Sequence, residues 1–376
     1  MKTKKFFGIM AFTVILAMFT VLSLTGCGDD DSTDGEKSNN TSSGNTSGGD
    51  TTGGNMPGGN MPGGNTPGGN TPGGNTPGGS DVGIVTDSNI GVAPFYAIVY
   101  AGNKFVVGVS GKQSVSTSTD GITWTVPVDN ALGFVALGIA YGDGKYVAGS
   151  YSKAMMYSSD GVSWTKVNNP PFSEALDVNI FAYGKGTFVV RGLHNEILYS
   201  KDGGATWTRV KDTDNLPNVN AITYGKDKFV AVGSRGAMAY SSDGVSWTAV
   251  TDSKFGTDYK GSIEAIAYCN DKFIAGSYDG SMAYSYDGLT WIAITGSPFE
   301  KPIKAIAYGN GKYIAGGTSG KMATSTDGVS WTALPDDTFG ITLTSSVRAI
   351  AFGNGKFVVI GSTDAKPDGG KMVCLK

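Results

Sequence analysis

Residue types that could carry out catalysis or bind a metal are scarce in this chain. Its 376 residues include one histidine, His194, and three cysteines, Cys27, Cys269 and Cys374. This set is too small and too scattered for a zinc site, and the sequence indicates no other cofactor. We expect His194 to be a surface-loop residue rather than a catalytic base. The net charge of −3 excludes a generally basic nucleic-acid binder.

Cys27 carries the most specific chemical signal. Three lysines near the N-terminus precede an apolar run that ends in Leu24-Thr25-Gly26-Cys27. This ending resembles the lipobox of bacterial lipoproteins, in which cleavage leaves a diacylated N-terminal cysteine. The alternative is an uncleaved membrane helix, but acidic residues rather than a basic stop follow the cysteine. We therefore expect residues 1–26 to be a signal peptide, and acylated Cys27 to hold an extracytoplasmic protein on the lipid bilayer of a bacterial cell surface or outer membrane.

Residues 27–81 have the composition of a tether. They are rich in Gly, Pro, Asn and Thr, contain no aromatic residue, and include five tandem pentapeptides from Asn55 to Gly79. Such a segment cannot bury enough apolar surface to offset its chain entropy. The composition therefore predicts a disordered spacer between the lipid and the folded part.

The remaining residues, 82–376, contain one repeat used seven times. Each copy begins with an apolar run that ends in an aromatic residue, and these aromatic residues are 40–44 positions apart: Tyr100, Tyr141, Tyr183, Tyr224, Tyr268, Tyr308 and Phe352. Three further short apolar runs with turn signals follow in most copies. Four short strands at this period predict one propeller blade per repeat, and hence an all-β, seven-bladed β-propeller of four-stranded antiparallel blades.

An aspartate-containing turn recurs between the third and fourth predicted strands. The first copy is Ser118-Thr119-Asp120-Gly121-Ile122-Thr123-Trp124, and its aspartate recurs as Asp160, Asp202, Asp243, Asp287 and Asp327. A carboxylate repeated six times around a ring is expected to be structural, accepting backbone N–H bonds within its turn. The motif resembles the Asp-box of the bacterial neuraminidase (BNR) repeat, found in sialidases, other glycoside hydrolases and non-catalytic propellers such as the photosystem II assembly factor family.

The two ends of the repeat region predict how the ring closes. The seventh copy ends at Lys376 without its fourth strand, whereas Val82–Thr86 resembles a fourth strand. We expect these N- and C-terminal strands to pair within one shared blade, which leaves no open sheet edge. Cys269 and Cys374 would lie two blades apart, beyond the roughly 7 Å Cα limit for a disulfide, so two buried thiols are expected.

Two columns of the repeat vary from copy to copy and are candidates for ligand binding. The first lies four residues before each aromatic residue and holds Tyr96, Leu137, Asn179, Asn220, Glu264, Lys304 and Arg348. The second lies between the second and third strands and includes His194, Arg235 and Asp279. Both columns fall on the face where the inner strands start. Positions free of packing constraint are where binding residues can be placed.

Two interpretations of the charged positions remain open at this stage. Glu264, Lys304 and Arg348 fall on consecutive blades, so they form either a polar ligand site or a solvated rim of salt bridges. The sequence favours the solvated rim.

An enzyme is the alternative to a binding module. A glycoside hydrolase needs two carboxylates about 5–10 Å apart, for which Glu264 and Asp279 are the available candidates. Sialidase activity is not expected, because the four arginines do not fit the three-arginine grip that the resemblance would imply. The sequence favours a monomeric, non-enzymatic module that binds a protein or a glycan.

Overall fold

The computed structural model describes nine segments of the chain. They are residues 94–110, 115–125, 135–174, 177–192, 196–213, 216–251, 261–335, 346–363 and 369–375. The predicted signal peptide, Cys27, the tether, the closing strand at Val82–Thr86 and His194 lie outside these described residues. In the described residues, no helix is long and apolar enough to cross a membrane.

Within the described residues, twenty-six strands form seven antiparallel sheets, and strands that are consecutive in the chain pair with each other. The inner strands are β1 (Phe95–Ala101), β4 (Gly138–Gly142), β8 (Phe181–Gly184), β12 (Val219–Gly225), β16 (Ile263–Cys269), β20 (Ile303–Gly309) and β24 (Val347–Gly353). The second strands are β2 (Lys104–Val109), β5 (Lys145–Gly149), β9 (Thr187–Arg191), β13 (Lys228–Gly233), β17 (Lys272–Ser277), β21 (Lys312–Gly317) and β25 (Lys356–Thr363).

The third strands are β3 (Val115–Ser118), β6 (Met155–Ser158), β10 (Ile197–Ser200), β14 (Met238–Ser241), β18 (Met282–Ser285), β22 (Met322–Ser325) and β26 (Gly369–Leu375). The outer strands are β7 (Thr165–Lys166), β11 (Thr208–Arg209), β15 (Thr248–Ala249), β19 (Ile292–Ile294) and β23 (Thr332–Ala333). Single 3-10 turns follow three second strands: η1 (Tyr151–Lys153), η2 (Ser234–Gly236) and η3 (Thr318–Gly320).

The inner strands form a closed ring. Each packs against the inner strand of the next sheet, and β24 of the seventh sheet packs against β1 of the first. The molecule is therefore an all-β, seven-bladed propeller, as the repeat predicts. Five blades show four strands, and the first and seventh show three within the described residues. Whether Val82–Thr86 completes the seventh blade stays a prediction.

A contact between aromatic residues and glycines joins neighbouring blades at the ends of the inner strands. A Cβ atom added at Gly184 of blade 3 would lie 2.1 Å from Cγ of Tyr224 in blade 4. Gly142, Gly225, Gly309 and Gly353 meet the next aromatic residue in the same way. No side chain fits in this space, so each Tyr-Gly or Phe-Gly pair couples two blades.

Both described cysteines are buried. Cys374 lies in β26 outside any disulfide, as predicted. Cys269 ends β16, and its state as a thiol stays a prediction.

Candidate ligand-binding face

The six aspartate turns share one hydrogen-bonding pattern. In the turn after β22, Oδ1 of Asp327 accepts backbone N–H bonds from Val329 at 2.8 Å and Ser330 at 2.7 Å. The hydroxyl of Ser325 donates to the same oxygen and accepts from the N–H of Gly328. The turn at Asp202 is one residue longer, and its carboxylate accepts from Thr206 instead. Each carboxylate is thus engaged within its own turn.

These hydrogen bonds outweigh desolvation in the aspartate turns. Burial raises the pKa of Asp120, but the N–H groups of Ile122 and Thr123 bring it down to about 2. The pKa values of Asp160, Asp202, Asp243, Asp287 and Asp327 are also lowered. A carboxylate that stays ionised and accepts backbone bonds suits a scaffold better than proton transfer.

Lysines of the neighbouring blade fix these turns. Lys104 of blade 1 donates to the backbone oxygen of Asp160 in blade 2 at 2.9 Å, and Lys228 of blade 4 does the same for Asp287 of blade 5. Lys356 of blade 7 reaches Asp120 of blade 1 at 3.2 Å and so joins the last blade to the first. We call this side of the propeller the aspartate face.

The opposite side of the propeller carries the two variable columns. We call it the variable face, and it consists of the seven variable residues at the starts of the inner strands and the loops after the second strands. Hydrogen bonds place the two columns together. The N–H of Gly236, in a loop of blade 4, donates to Gly261 beside the inner strand of blade 5 at 2.7 Å. Ser150 of blade 2 accepts from Val178 of blade 3 in the same region.

In five blades the variable residue of the inner strand is the extra residue of a β-bulge. In blade 5 the ladder joins Ile263 to Ser277 and Ala265 to Gly276, which leaves Glu264 without a partner across the sheet. Tyr96, Asn220, Lys304 and Arg348 occupy the same position in their blades. A bulge re-aims a side chain without interrupting the strand, so five inner strands each release one residue from the repeat.

Glu264 and Lys304 form a buried ion pair between blades 5 and 6. Lys304 Nζ lies 3.0 Å from Glu264 Oε2, and the two residues are 8% and 5% exposed. Burial lowers the pKa of Lys304, and the charge of Glu264 opposes that shift. The expectation of a solvated rim is therefore wrong for this pair, because the bulges turn both side chains toward each other rather than into water.

The two asparagines of the inner-strand column differ in whether their side-chain amides have hydrogen-bond partners. Asn220 donates from Nδ2 to Ser262 Oγ at 2.6 Å and to the backbone oxygen of Ile263 at 3.0 Å, which ties blade 4 to blade 5. Asn179 is only 3% exposed, and its Oδ1 has no hydrogen-bond partner. A buried acceptor without a partner costs free energy and marks Asn179 as a position where a ligand could donate.

Arg348 lies against an aromatic ring rather than an acid. Its guanidinium carbon is 5.1 Å from the ring centroid of Tyr96 in the next blade. Tyr151, which lies in η1 of blade 2 and is 43% exposed, interacts electrostatically with Tyr96. Three consecutive blades thus contribute one polar and aromatic cluster.

Arg235 and Asp279, the candidates of the second column within the described residues, are not brought into this cluster. Arg235 is exposed in η2 and has a left-handed backbone, with φ of 59°. Asp279 is exposed, and its Oδ1 accepts bonds from Ser277 and Ser281 of its own loop. Glu264 is engaged by Lys304, so neither member of the predicted carboxylate pair is positioned by the other.

Sequence reasoning missed Tyr151 and the pair Arg191–Asp177. Arg191 ends β9 and occupies a position that glycine holds in four blades, at Gly108, Gly149, Gly276 and Gly316. This departure from glycine was a readable signal. Burial lowers the pKa of Arg191, and the charge of Asp177 opposes that shift.

A cleft of about 360 Å³ lies apart from these residues, on the flank between blades 3 and 4. Tyr199, Arg209, Lys211 and Trp247 contribute to its lining. Arg209 is held by Glu196 at 2.7 Å. None of the predicted site residues lines this cleft, and no group of three or more metal-ligating side chains occurs in the described segments.

The comparisons with known proteins agree on the fold. The structure of YCF48 bound to a D1 peptide matches with a TM-score of 0.57 at 16% identity, covering 76% of this chain and 93% of that one. Virginiamycin B lyase from Staphylococcus aureus matches with a TM-score of 0.59 at 12% identity, over 76% and 95% of the two chains. At such identities the likeness shows the seven-bladed propeller and nothing further.

One curated relative shares sequence. A xyloglucanase of Paenibacillus sp. is 34% identical over 139 residues, which is 30% of this chain. The chain spans only 13% of that enzyme's length. No protein-family profile matches the chain. The class established here is therefore the seven-bladed β-propeller.

Proposed function

We propose that this protein is a membrane-tethered surface lipoprotein whose propeller binds a protein or a glycan through its variable face without catalysing a reaction. One observation carries the binding role. The aspartate face repeats the same contacts from blade to blade, whereas five bulges on the variable face present five different side chains. A surface that varies on an otherwise uniform scaffold is typical of recognition.

The chemistry of the variable face supports binding rather than catalysis. Glu264 is neutralised by Lys304, and Asp279 accepts bonds within its loop. A glycoside hydrolase needs one carboxyl group to give a proton and a second to act on the sugar. The candidate carboxylates are instead held by their own neighbours. The peptide bound by YCF48, a propeller of similar fold, is consistent with a protein ligand.

The lipid anchor rests on Cys27. Its place at the end of the apolar run favours lipidation, and the spacer through residue 81 would hold the propeller away from the bilayer. In this arrangement the protein is extracytoplasmic, on a cell surface or outer membrane.

A glycoside hydrolase is the second candidate, and the xyloglucanase relative favours it. One experiment separates the two. The full chain is assayed with xyloglucan and a panel of chromogenic glycosides for both saturable binding and product release. Saturable binding without product supports the binding module. Turnover that is lost in Glu264→Gln, while the variant remains folded, supports the enzyme.

A further inference from the structure

Arg348 is a cation without an acidic partner in the part of the chain that the structure describes. Its guanidinium faces Tyr96, and burial lowers its pKa while the two tyrosines Tyr96 and Tyr151 oppose that shift. Arginine nonetheless stays charged in proteins. A ring face compensates a guanidinium only in part, by roughly 0.5–2 kcal/mol, so Arg348 keeps hydrogen-bonding capacity for an anion.

Tyr96 and Tyr151 add phenol groups beside that cation. The electrostatic interaction between them links blade 1 to blade 2, and Tyr151 stays 43% exposed. Burial raises the pKa of Tyr151, so it keeps its proton at neutral pH and remains a possible donor. A guanidinium and phenols together offer donors to an oxygen anion and apolar ring surface to the atoms next to it.

The other polar side chains of the variable face differ in whether their hydrogen-bonding groups have partners. On blades 4 to 6, Asn220, Glu264 and Lys304 have partners in neighbouring blades. On blade 3, Asn179 Oδ1 and Arg191 Nε are buried and lack one, as does Thr318 Oγ1 on blade 6. Hydrogen-bonding capacity is therefore left open mainly where blades 7, 1, 2 and 3 meet.

We propose that Arg348, Tyr96 and Tyr151 bind a carboxylate group of the ligand. Guanidinium and carboxylate pair in a bidentate manner, which gives both strength and orientation. A monoanion fits better than a phosphate, because the other cation of this region, Arg191, already interacts electrostatically with Asp177. This inference rests on the proposed binding role, and the carboxylate would come from a peptide C-terminus or an acidic sugar.

Four small probes test the assignment on the full chain. N-acetylalanine represents a peptide C-terminus and glucuronic acid an acidic sugar, with N-acetylalanine amide and glucose as their neutral counterparts. Binding is followed by NMR shifts of arginine side-chain N–H signals and by calorimetry. We expect one or both acids to shift the Arg348 signal while the neutral probes do not. The acid that binds more tightly identifies the source of the carboxylate.

Variants assign the effect to these residues. Arg348→Gln should weaken acid binding by about tenfold or more, the loss expected for a charge-assisted hydrogen bond. Arg235→Gln, an exposed arginine on the same face, should bind as the wild type does. Tyr151→Phe removes only a hydroxyl and should weaken binding at an unchanged melting temperature, which keeps the test valid even if Arg348→Gln folds poorly.

Equal binding of neutral and acidic probes, equal losses in Arg348→Gln and Arg235→Gln, or no response to either acid would overturn the carboxylate assignment. If a macromolecule binds the variable face while neither acid does, the proposed function stands and this inference fails. If nothing binds that face at all, both fail.

Discussion

Lys304 of blade 6 donates a hydrogen bond of 3.0 Å to the carboxylate of Glu264 in blade 5, and both residues are buried. Removing one member of such a pair leaves a buried charge without compensation and costs about 3–5 kcal/mol, whereas replacing both is often nearly neutral. We therefore expect Lys304→Met to lower the free energy of unfolding by a few kcal/mol. The double variant Glu264→Gln/Lys304→Met should recover much of that loss.

Urea unfolding of the wild type, both single variants and the double variant forms a double-mutant cycle. Strictly additive losses would show that the two side chains do not interact. The result also bears on the enzyme alternative, because Glu264→Gln must remain folded before its activity can be interpreted.

The aspartate turns predict a loss of stability in acid. The pKa values of Asp120 and Asp160 are about 2 in the folded protein, below the roughly 3.9 of an unfolded chain. A lowered pKa contributes stability that is complete above the unfolded value and disappears as pH falls toward the folded value. The free energy of unfolding should therefore decrease between pH 4 and pH 2.

An asparagine variant provides the control for that prediction. Asp120→Asn keeps an oxygen that can accept the N–H bonds of Ile122 and Thr123 but cannot titrate in this range. Its unfolding free energy, measured with urea at several pH values, should change less steeply than that of the wild type. An identical slope in the two proteins would mean that Asp120 does not account for any of the acid sensitivity.

The chain termini predict how the ring is completed. If Val82–Thr86 supplies the missing strand of blade 7, a variant starting at Asp81 should be monomeric and as stable as the mature protein. A variant starting at Ser88 would expose the edge beside β26, so it should aggregate or melt several degrees lower. Light scattering and thermal melting measure both properties, and equal behaviour of the two variants would contradict closure by this strand.

The anchor prediction concerns Cys27. Cys27→Ser should block acylation and leave an uncleaved or mislocalised precursor. Mass spectrometry of the wild-type N-terminal peptide should show a diacylglyceryl thioether. The sulfur of Cys27 can form that thioether or a disulfide but not both. Recovery of Cys27 in a disulfide-linked peptide with Cys269, or normal detergent partitioning of the variant at the same processed mass as the wild type, would contradict the anchor.

The sequence predicted the parts of the fold that recur. An inner-strand aromatic residue seen seven times, or an Asp-Gly turn seen six times, reports a packing constraint directly. The partners of the variable residues could not be predicted in this way. Glu264 contacts Lys304, and Arg348 contacts Tyr96, because bulges rotate these side chains toward a neighbouring blade. A residue that occurs in only one copy of the repeat gives no periodic signal from which the direction of its side chain could be predicted.

The most direct measurement locates ligand binding on the propeller. An array of glycans and peptides is probed in parallel with the wild-type chain, with Tyr151→Ala/Arg348→Gln on the variable face, and with Tyr286→Ala. Tyr286 is 57% exposed and precedes Asp287 on the aspartate face, which makes it a matched control. The account predicts that the wild-type chain binds at least one ligand saturably without converting it to a product. The variable-face variant should no longer bind this ligand, whereas Tyr286→Ala should bind it as the wild type does. Binding that depends on Tyr286 instead, or conversion of the bound glycan to products, would contradict it.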